Sequence, residues 1–324
     1  MHSLRKILAR SVGEWDQLRP LWNELVRQHP KSIFQRFDWN RLALHVFSDR
    51  LSPWVCAVES DRGAAIIPAA IHRRCNRLEL VGEAMFDYRD VLHAGDGEVL
   101  QAAWEMLAQL NLPLSVTAVA AYRGGNWAGF DLVEFARAPW VDSSQIGAQA
   151  FRLLHTRAAR QLRRLQRKGV VLHEYSGAER ALVRRIYQLK CDQFAGDANN
   201  IFRDEKRREF MVAVAALESE NCRVFTLEDP GGGIVAALMS FVDGLLTRFY
   251  TIYFDPAWAH YSPGIALVFE ATARCLEQGL SCDYMTGEYP YKLRFANASR
   301  KLYRIEVSAS QLAEVVRLQQ LKIA

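Results

Sequence analysis

Leu246-Thr247-Arg248-Phe249-Tyr250-Thr251-Ile252-Tyr253 runs into Phe254-Asp255-Pro256-Ala257-Trp258-Ala259-His260-Tyr261-Ser262-Pro263-Gly264-Ile265-Ala266. The first segment is rich in aromatic and β-branched residues and follows Asp243-Gly244, a hairpin signal, so it reads as a strand. Gly264 to Gln278 has helical spacing, and Ser281 to Thr286 returns to strand character. Strand, turn and helix start in this order can gather free backbone N–H groups and the positive end of a helix dipole at one point. Such a point is a ready cradle for a pyrophosphate. Gly264 would let a ligand approach the backbone, and Pro263 fixes the helix entry without wasting a donor. The same residues also read as an ordinary loop capped by Ser262.

Upstream of this stretch, Arg223 to Leu227 and Ile234 to Val242 read as strands around the turn Asp229-Pro230-Gly231-Gly232-Gly233. The first half of the chain repeats the order. Trp54 to Val58 and Ala64 to Ile67 read as strands around Ser60-Asp61-Arg62-Gly63, Leu78 to Val81 as a third, Glu98 to Leu110 as a helix, and Leu114 to Ala121 as a strand. Ahead of them, Glu14 to Arg27 has helical spacing, with Pro20 starting a turn or a kink. The halves align at an offset of about 169 residues, with Val55 falling on Val224 and Glu59 on Glu228. This predicts an α+β fold made of two copies of one unit. Pro139 and Ser143 mark a boundary between residues 1–142 and 143–324.

The 324 residues are 50% hydrophobic and 24% charged, a composition that excludes disordered and fibrous classes and has room for two domains. The net charge of +5 is too small to argue for nucleic acid by itself, so its location decides more than its size. Arg152, Arg157, Arg160, Arg163, Arg164, Arg167 and Lys168 lie in one stretch with no acidic residue, and the rest of the chain is slightly acidic. Read as a helix, this stretch places Arg157, Arg160, Arg164 and Lys168 along one face, opposite Leu154, Leu162 and Leu165. Such a face suits CoA phosphates, an anionic polymer, tRNA or anionic lipid, or is simply solvated.

The six cysteines form no C-x-x-C pair and the eight histidines no H-x-x-x-H pair, so no metal site is expected. Scattered cysteines and no apolar leader in Met1 to Arg10 point to a reduced, cytoplasmic protein. The best apolar run, Ile234 to Val242, is far short of the roughly 20 residues that span a bilayer.

The succession Phe254-Asp255-Pro256, Tyr261-Ser262-Pro263-Gly264, Asp283, Gly287-Glu288 and Tyr291-Lys292 resembles the CelD/BcsL-type acetyltransferases, a branch of the GNAT (GCN5-related N-acetyltransferase) superfamily. The likeness extends from about Gln149 to Ala296; the N-terminal half matches only loosely. It implies two GNAT-like units in tandem, each a mostly antiparallel mixed sheet flanked by helices, with the first unit non-catalytic and the second an acyltransferase. It further implies acetyl-CoA or another acyl-CoA as donor, and an amine on a small metabolite or on a sugar destined for polysaccharide as acceptor. The superfamily's phosphate loop, Gln/Arg-x-x-Gly-x-Gly/Ala, is matched by Tyr261-Ser262-Pro263-Gly264-Ile265-Ala266, with Tyr261 standing in place of Gln or Arg. Tyr250, on the preceding strand, joins these six as a candidate donor-binding residue, although an aromatic on a strand also suits a core.

Acyl transfer to an amine needs a base, an acid for the leaving thiolate and a group that steadies the oxyanion. Glu288 and Asp283 are the candidate bases, Tyr291 or Tyr289 the candidate acid and Lys292 the candidate stabiliser. Their bland readings are a structural carboxylate for Asp283, a packing ring for Tyr289 and a solvated lysine for Lys292. Two alternatives stand beside this enzyme. Fem-type transferases share the double fold, take an aminoacyl group from tRNA and carry an aromatic-Lys signature similar to Tyr291-Lys292. A non-catalytic RNA-binding or scaffold module is the third class.

Overall fold

A computed structural model describes residues 4–28, 32–121, 124–177 and 179–323. The chain begins with β1 (Arg5–Ala9), α1 (Val12–Asp16), α2 (Arg19–Gln28), α3 (Phe37–Val46), β2 (Leu51–Ser60), β3 (Gly63–His72) and β4 (Arg77–Leu80). It continues with β5 (Leu92–Gly95), α4 (Gly97–Ala108), β6 (Leu114–Val119), β7 (Val133–Val141), α5 (Ala148–Leu154), α6 (Thr156–Gln166), β8 (Val171–Ser176) and α7 (Arg180–Gln193). Then come α8 (Glu205–Leu217), β9 (Cys222–Glu228), β10 (Ile234–Asp243), β11 (Leu246–Phe254), α9 (Pro263–Glu277), β12 (Ser281–Asp283), α10 (Pro290–Phe295), β13 (Ala298–Val307) and α11 (Ala309–Ile323). Of the Met1 to Arg10 stretch, residues 1–3 lie outside the described residues and the rest contributes β1.

Two compact units emerge, one of residues 1–136 with 301–324 and one of residues 137–300. In the first, the strand order is β1-β2-β3-β4-β6-β13, with β5 on β3. β1, β2, β3 and β4 pair antiparallel in turn, β4 and β6 pair parallel, and β6 and β13 antiparallel. In the second, the order β8-β9-β10-β11-β12-β7 has the same succession of senses, with β11 and β12 the parallel pair. The duplication expected at an offset of 169 residues is therefore present in the topology. Val55 and Val224 are both buried strand residues, and α4 and α9 each precede the strand that makes the parallel pair, β6 and β12.

The division differs from the expected boundary at residue 142. Residues 301–324, expected in the second unit, complete the first: Tyr303, Ile305 and Val307 pair with β6, and Ile305, Leu312 and Val316 enter its core with Trp104 and Leu107. Gln101 of α4 donates to the Val316 carbonyl (2.7 Å). Conversely β7, which follows the first unit's strands in sequence, pairs with β12. Each unit is closed by the strand that follows the other's core in sequence.

The second unit's core gathers Leu162 and Leu165 of α6, Leu267 and Phe269 of α9, and Phe225, Leu238 and Phe249 of the sheet. β10 is a near-continuous apolar run because both its faces are covered. The expected single basic helix is two, because the chain breaks at His155 (φ −106°, ψ 41°). Leu154 consequently ends α5 at 69% exposure instead of joining Leu162 and Leu165. Among the described residues, no helix is long and apolar enough to cross a membrane.

Candidate functional site

The parallel pairing of β11 and β12 lasts three residues, Leu246 to Arg248 against Ser281 to Asp283, after which β11 runs on to Phe254 without β12 beside it. Its other edge stays on β10. The Asp255 N–H donates to the Val235 carbonyl (2.9 Å), so by antiparallel alternation the main-chain groups of Ile252 and Phe254 point away from β10, to the open edge. One strand slip interrupts the β10–β11 ladder: Met239 faces Thr251 and Ser240 faces Phe249, leaving Tyr250 as the extra residue of a bulge.

β11 turns into α9 through a 3₁₀ segment, Pro256–Tyr261, capped by Asp255, whose carboxylate accepts from the Ala257 N–H (2.9 Å). Ser262 then takes a left-handed conformation (φ 53°, ψ 54°), Pro263 opens the helix, and Ser262 makes no side-chain cap. The first N–H groups of a helix have no partner within it, so those of Gly264 and Ile265 present a partial positive charge without a local carboxylate. The equivalent helix of the first unit differs. There Asp96 caps α4, its carboxylate accepting from the Glu98 N–H (3.1 Å) and placing a negative charge where an anion would sit.

Beside the α9 start lies a cavity of about 380 Å³, within the range of small-ligand sites. Its walls are Ile252 and Phe254 of β11, Ala259, Ser262, Pro263, Gly264 and Ile265 of the turn and helix start, and Pro290, Tyr291 and Arg294 of α10. A Cβ at Gly264 would meet the Phe254 ring at 3.4 Å, an ordinary contact, so internal packing does not demand glycine there. In the first unit, the space among Trp22, Phe34, Gln35, Pro68 and Leu92 is about 10 Å³, room for about one water.

Of the candidate donor-binding residues, Ser262, Pro263, Gly264 and Ile265 meet on this wall together with Tyr291. Ala266 faces the core and is fully buried. Tyr261 lies off the wall, against Trp258 and His260, and the Arg164 guanidinium of α6 sits 5.2 Å from its ring centre. Tyr250 is also off the wall; its ring meets Phe241 edge-on at 6.0 Å.

The candidate catalytic residues are dispersed. Asp283 is 2% exposed: its carboxylate pairs with Arg248 (2.8 Å) and accepts from the Met285 N–H (2.8 Å), and Arg248 also pairs with Asp243 (2.8 Å). A carboxylate closed in such a cluster has a structural task rather than a base's access to substrate. Lys292 is likewise buried, donating to the Met285 (3.1 Å) and Thr286 (2.6 Å) carbonyls and lying 5.3 Å from the Tyr289 ring centre. It staples a turn in which Met285 has φ 63°. Glu288 is exposed, with no hydrogen-bond or ion-pair partner among the described residues, and lies off the cavity wall. Tyr289 is 60% exposed and stacks on Tyr291.

Sequence reasoning missed Lys190. It sits on α7 and donates to the Ile252 carbonyl (2.5 Å), with its ammonium 4.7 Å from the Phe194 ring centre. Burial pushes its amine down to about 8 from the usual 10.5. A signal was available. Val183, Ile186 and Tyr187 are the buried stripe of α7, and position 190 continues it with a lysine. Tyr187 bonds Thr251 (2.6 Å), and burial raises its phenol well above the ordinary value. Arg294, three residues after Tyr291 on α10, was also unremarked.

Arg157, Arg160, Arg163 and Arg164 of α6, and Arg167 and Lys168 just after it, are exposed, and none has a carboxylate partner among the described residues. Arg152 of α5 is different, pairing with Glu270 (2.6 Å) and Glu277 (3.0 Å).

Residues 154–293, all within the second unit, match the family model described as acetyltransferase (GNAT) domain. No curated protein matches the chain in sequence. Among solved structures, FemX is similar with a TM-score of 0.63 at 10% identity, over 99% of this chain and 100% of that one. L-PGS from Bacillus licheniformis has a TM-score of 0.57 at 10% identity, over 92% and 96%. A tandem GNAT protein from the clavulanic acid biosynthesis pathway has 0.50 at 11%, over 95% and 99%. The fold is thus α+β, with GNAT-like units in tandem.

Proposed function

We propose that the second unit is an acyltransferase that moves an acetyl or other acyl group from acyl-CoA to an amine. The observation that carries this reading is the uncapped start of α9, opening on a cavity at the free edge of β11, where the first unit's equivalent helix is closed by Asp96. The cradle at Gly264 and Ile265 suits the donor's pyrophosphate, and the groove along Ile252 and Phe254 suits its extended apolar arm. Arg164 over Tyr261 supplies, from another helix, the cation that Tyr261 lacks at the loop position where the superfamily has Gln or Arg. The Tyr291 hydroxyl on the cavity wall is the candidate donor of a proton to the leaving thiolate.

The CelD/BcsL-type resemblance extends the reading to an amine on a small metabolite or a sugar used in polysaccharide synthesis. Isothermal titration with acetyl-CoA tests it. Saturable binding to the wild type is expected, and no heat at millimolar ligand would remove CoA as the donor.

The exposed cations of α6, without carboxylate partners among the described residues, favour a second reading, transfer of an aminoacyl group from tRNA. It requires charged tRNA to shift the protein in a gel at low salt, with affinity falling steeply as salt rises. No shift at low salt excludes it.

A further inference from the structure

Lys190 and the cavity meet at a single residue. Ile252 forms part of the cavity wall, and its carbonyl, on the open edge of β11, accepts the Lys190 hydrogen bond at 2.5 Å. That edge lies beyond the point at which β12 stops pairing, so the amine stands beside main-chain groups of β11 that β12 does not cover. We propose that Lys190 is the proton-transfer residue of the second unit's acyl transfer, its amine held on the open edge of β11 by the Ile252 carbonyl. This rests on the acyl-CoA reading above.

Two other groups compete for the role and fit it less well. Asp283 is closed by Arg248 and the Met285 N–H, and Glu288 is exposed with no hydrogen bond among the described residues to hold it in place. A neutral lysine can donate one N–H to Ile252 and still present its lone pair to an attacking amine. The step balances. The acceptor nitrogen forms a C–N bond to the acyl carbonyl carbon, the C–S bond breaks, and the surplus proton on the acceptor nitrogen passes to the Lys190 nitrogen. The departing thiolate takes the proton of the Tyr291 hydroxyl, and proton exchange with solvent then resets the Lys190 ammonium and the Tyr291 phenolate, leaving amide, thiol, neutral Lys190 and neutral Tyr291.

Surrounding charges leave the lysine free to cycle. Lys190 makes no ion pair among the described residues. The titratable and charged groups on the elements around it include Arg185, Tyr187, Cys191 and Asp192 of α7, Tyr253 of β11 with Asp255 beyond it, Arg203 of the turn before α8, and Arg208 of α8. Tyr187 is bonded to Thr251, and Arg208 is bonded to the Phe202 carbonyl (2.5 Å) and lies 3.8 Å from the Cys191 sulfur. Its desolvation, rather than a neighbouring charge, holds the amine near about 8, the range a base acting at neutral pH requires.

The test follows the ¹³Cε resonance of Lys190 in lysine-labelled full-length protein, assigned by its loss in Lys190→Met, through a pH titration with and without acetyl-CoA. A midpoint near 8 that moves by more than about half a unit on saturation supports the proposal. A midpoint near 10.5, or one that saturating acetyl-CoA leaves in place, overturns it. Absence of any acetyl-CoA binding by calorimetry overturns the donor reading first and this role with it, so the two failures are distinguishable. Thiol release from acetyl-CoA with glucosamine as the probe amine gives a second readout. Lys190→Met is expected to lower kcat by about 100-fold or more at an acetyl-CoA KM within about twofold of wild type, with Lys190→Arg failing to restore the rate. A Lys190→Met protein that matches the wild-type rate overturns the proposal.

Discussion

Gly264→Ala separates what the fold needs from what the ligand needs. The added methyl would lie 3.4 Å from Cδ1 and 3.7 Å from Cβ of Phe254, ordinary van der Waals distances, and the glycine is not among those with positive φ. No strain or clash is therefore introduced. Position 264 is in the first turn of α9, where replacing glycine by alanine removes unfolded-chain entropy and adds helix propensity, together worth up to about 1 kcal/mol. For a unit of this size that is a rise in Tm of about 2–4 °C. The same methyl stands on the cavity wall beside the free N–H groups and holds a phosphate away from them. A loss of about 1.4–2.8 kcal/mol in binding, 10- to 100-fold in Kd, is expected for CoA. Thermal unfolding and calorimetric titration of the same preparation give both numbers. Unchanged CoA affinity in a well-folded Gly264→Ala protein would refute the cradle, and a fall in Tm of several degrees would show that glycine is there for the fold.

Asp283→Asn removes the buried carboxylate that pairs with Arg248 and should cost about 3–5 kcal/mol in urea unfolding; a variant as stable as wild type would return Asp283 to the list of candidate bases. Stability should rise with pH between about 8 and 10.5 through Lys190, because over that window the unfolded chain holds the proton that the folded one has lost. The penalty below that window is at most about 3 kcal/mol, so Lys190→Met should be the more stable protein at pH 7, and the gap in urea midpoints should narrow by pH 10.5; a gap independent of pH contradicts the burial argument. Arg164→Ala is expected to leave stability within about 0.5 kcal/mol while weakening CoA binding about 3- to 10-fold, with Arg157→Ala, farther along α6, as the comparison. Equal effects of the two substitutions would reduce Arg164 to one charge among several.

Much of the scaffold was legible because local patterns record local environment. The aromatic and β-branched content of β11, the continuous apolar run of β10 and the Asp243-Gly244 reversal each identify an element without reference to the rest of the chain. Ser262-Pro263-Gly264 marked the helix start for the same reason, since a proline at the first helical position and a glycine beside it constrain backbone and donors directly. The candidate chemistry was less legible. Asp283 and Lys292 look alike in sequence to any acid and base near a turn, and only their burial against Arg248 and against the Met285 and Thr286 carbonyls distinguishes a staple from a catalyst. Lys190 could have been found, as the polar residue at the next position of an apolar stripe.

The repeat at an offset of 169 residues was determined by sequence, because each copy carries its own strand and helix periods. Which strand closes which copy was decided by tertiary structure. β13 pairs with β6 across the whole of the second copy, and β7 pairs with β12, although each lies in sequence directly after the other copy's core. A strand's period says that it will pair and which residues face inward, but its partner is chosen by register and burial among all the edges available. The same holds at the site. The turn at Ser262 was written locally, whereas the open edge of β11 exists only because β12 stops at Asp283, and Lys190 reaches Ile252 only because α7 packs on that strand.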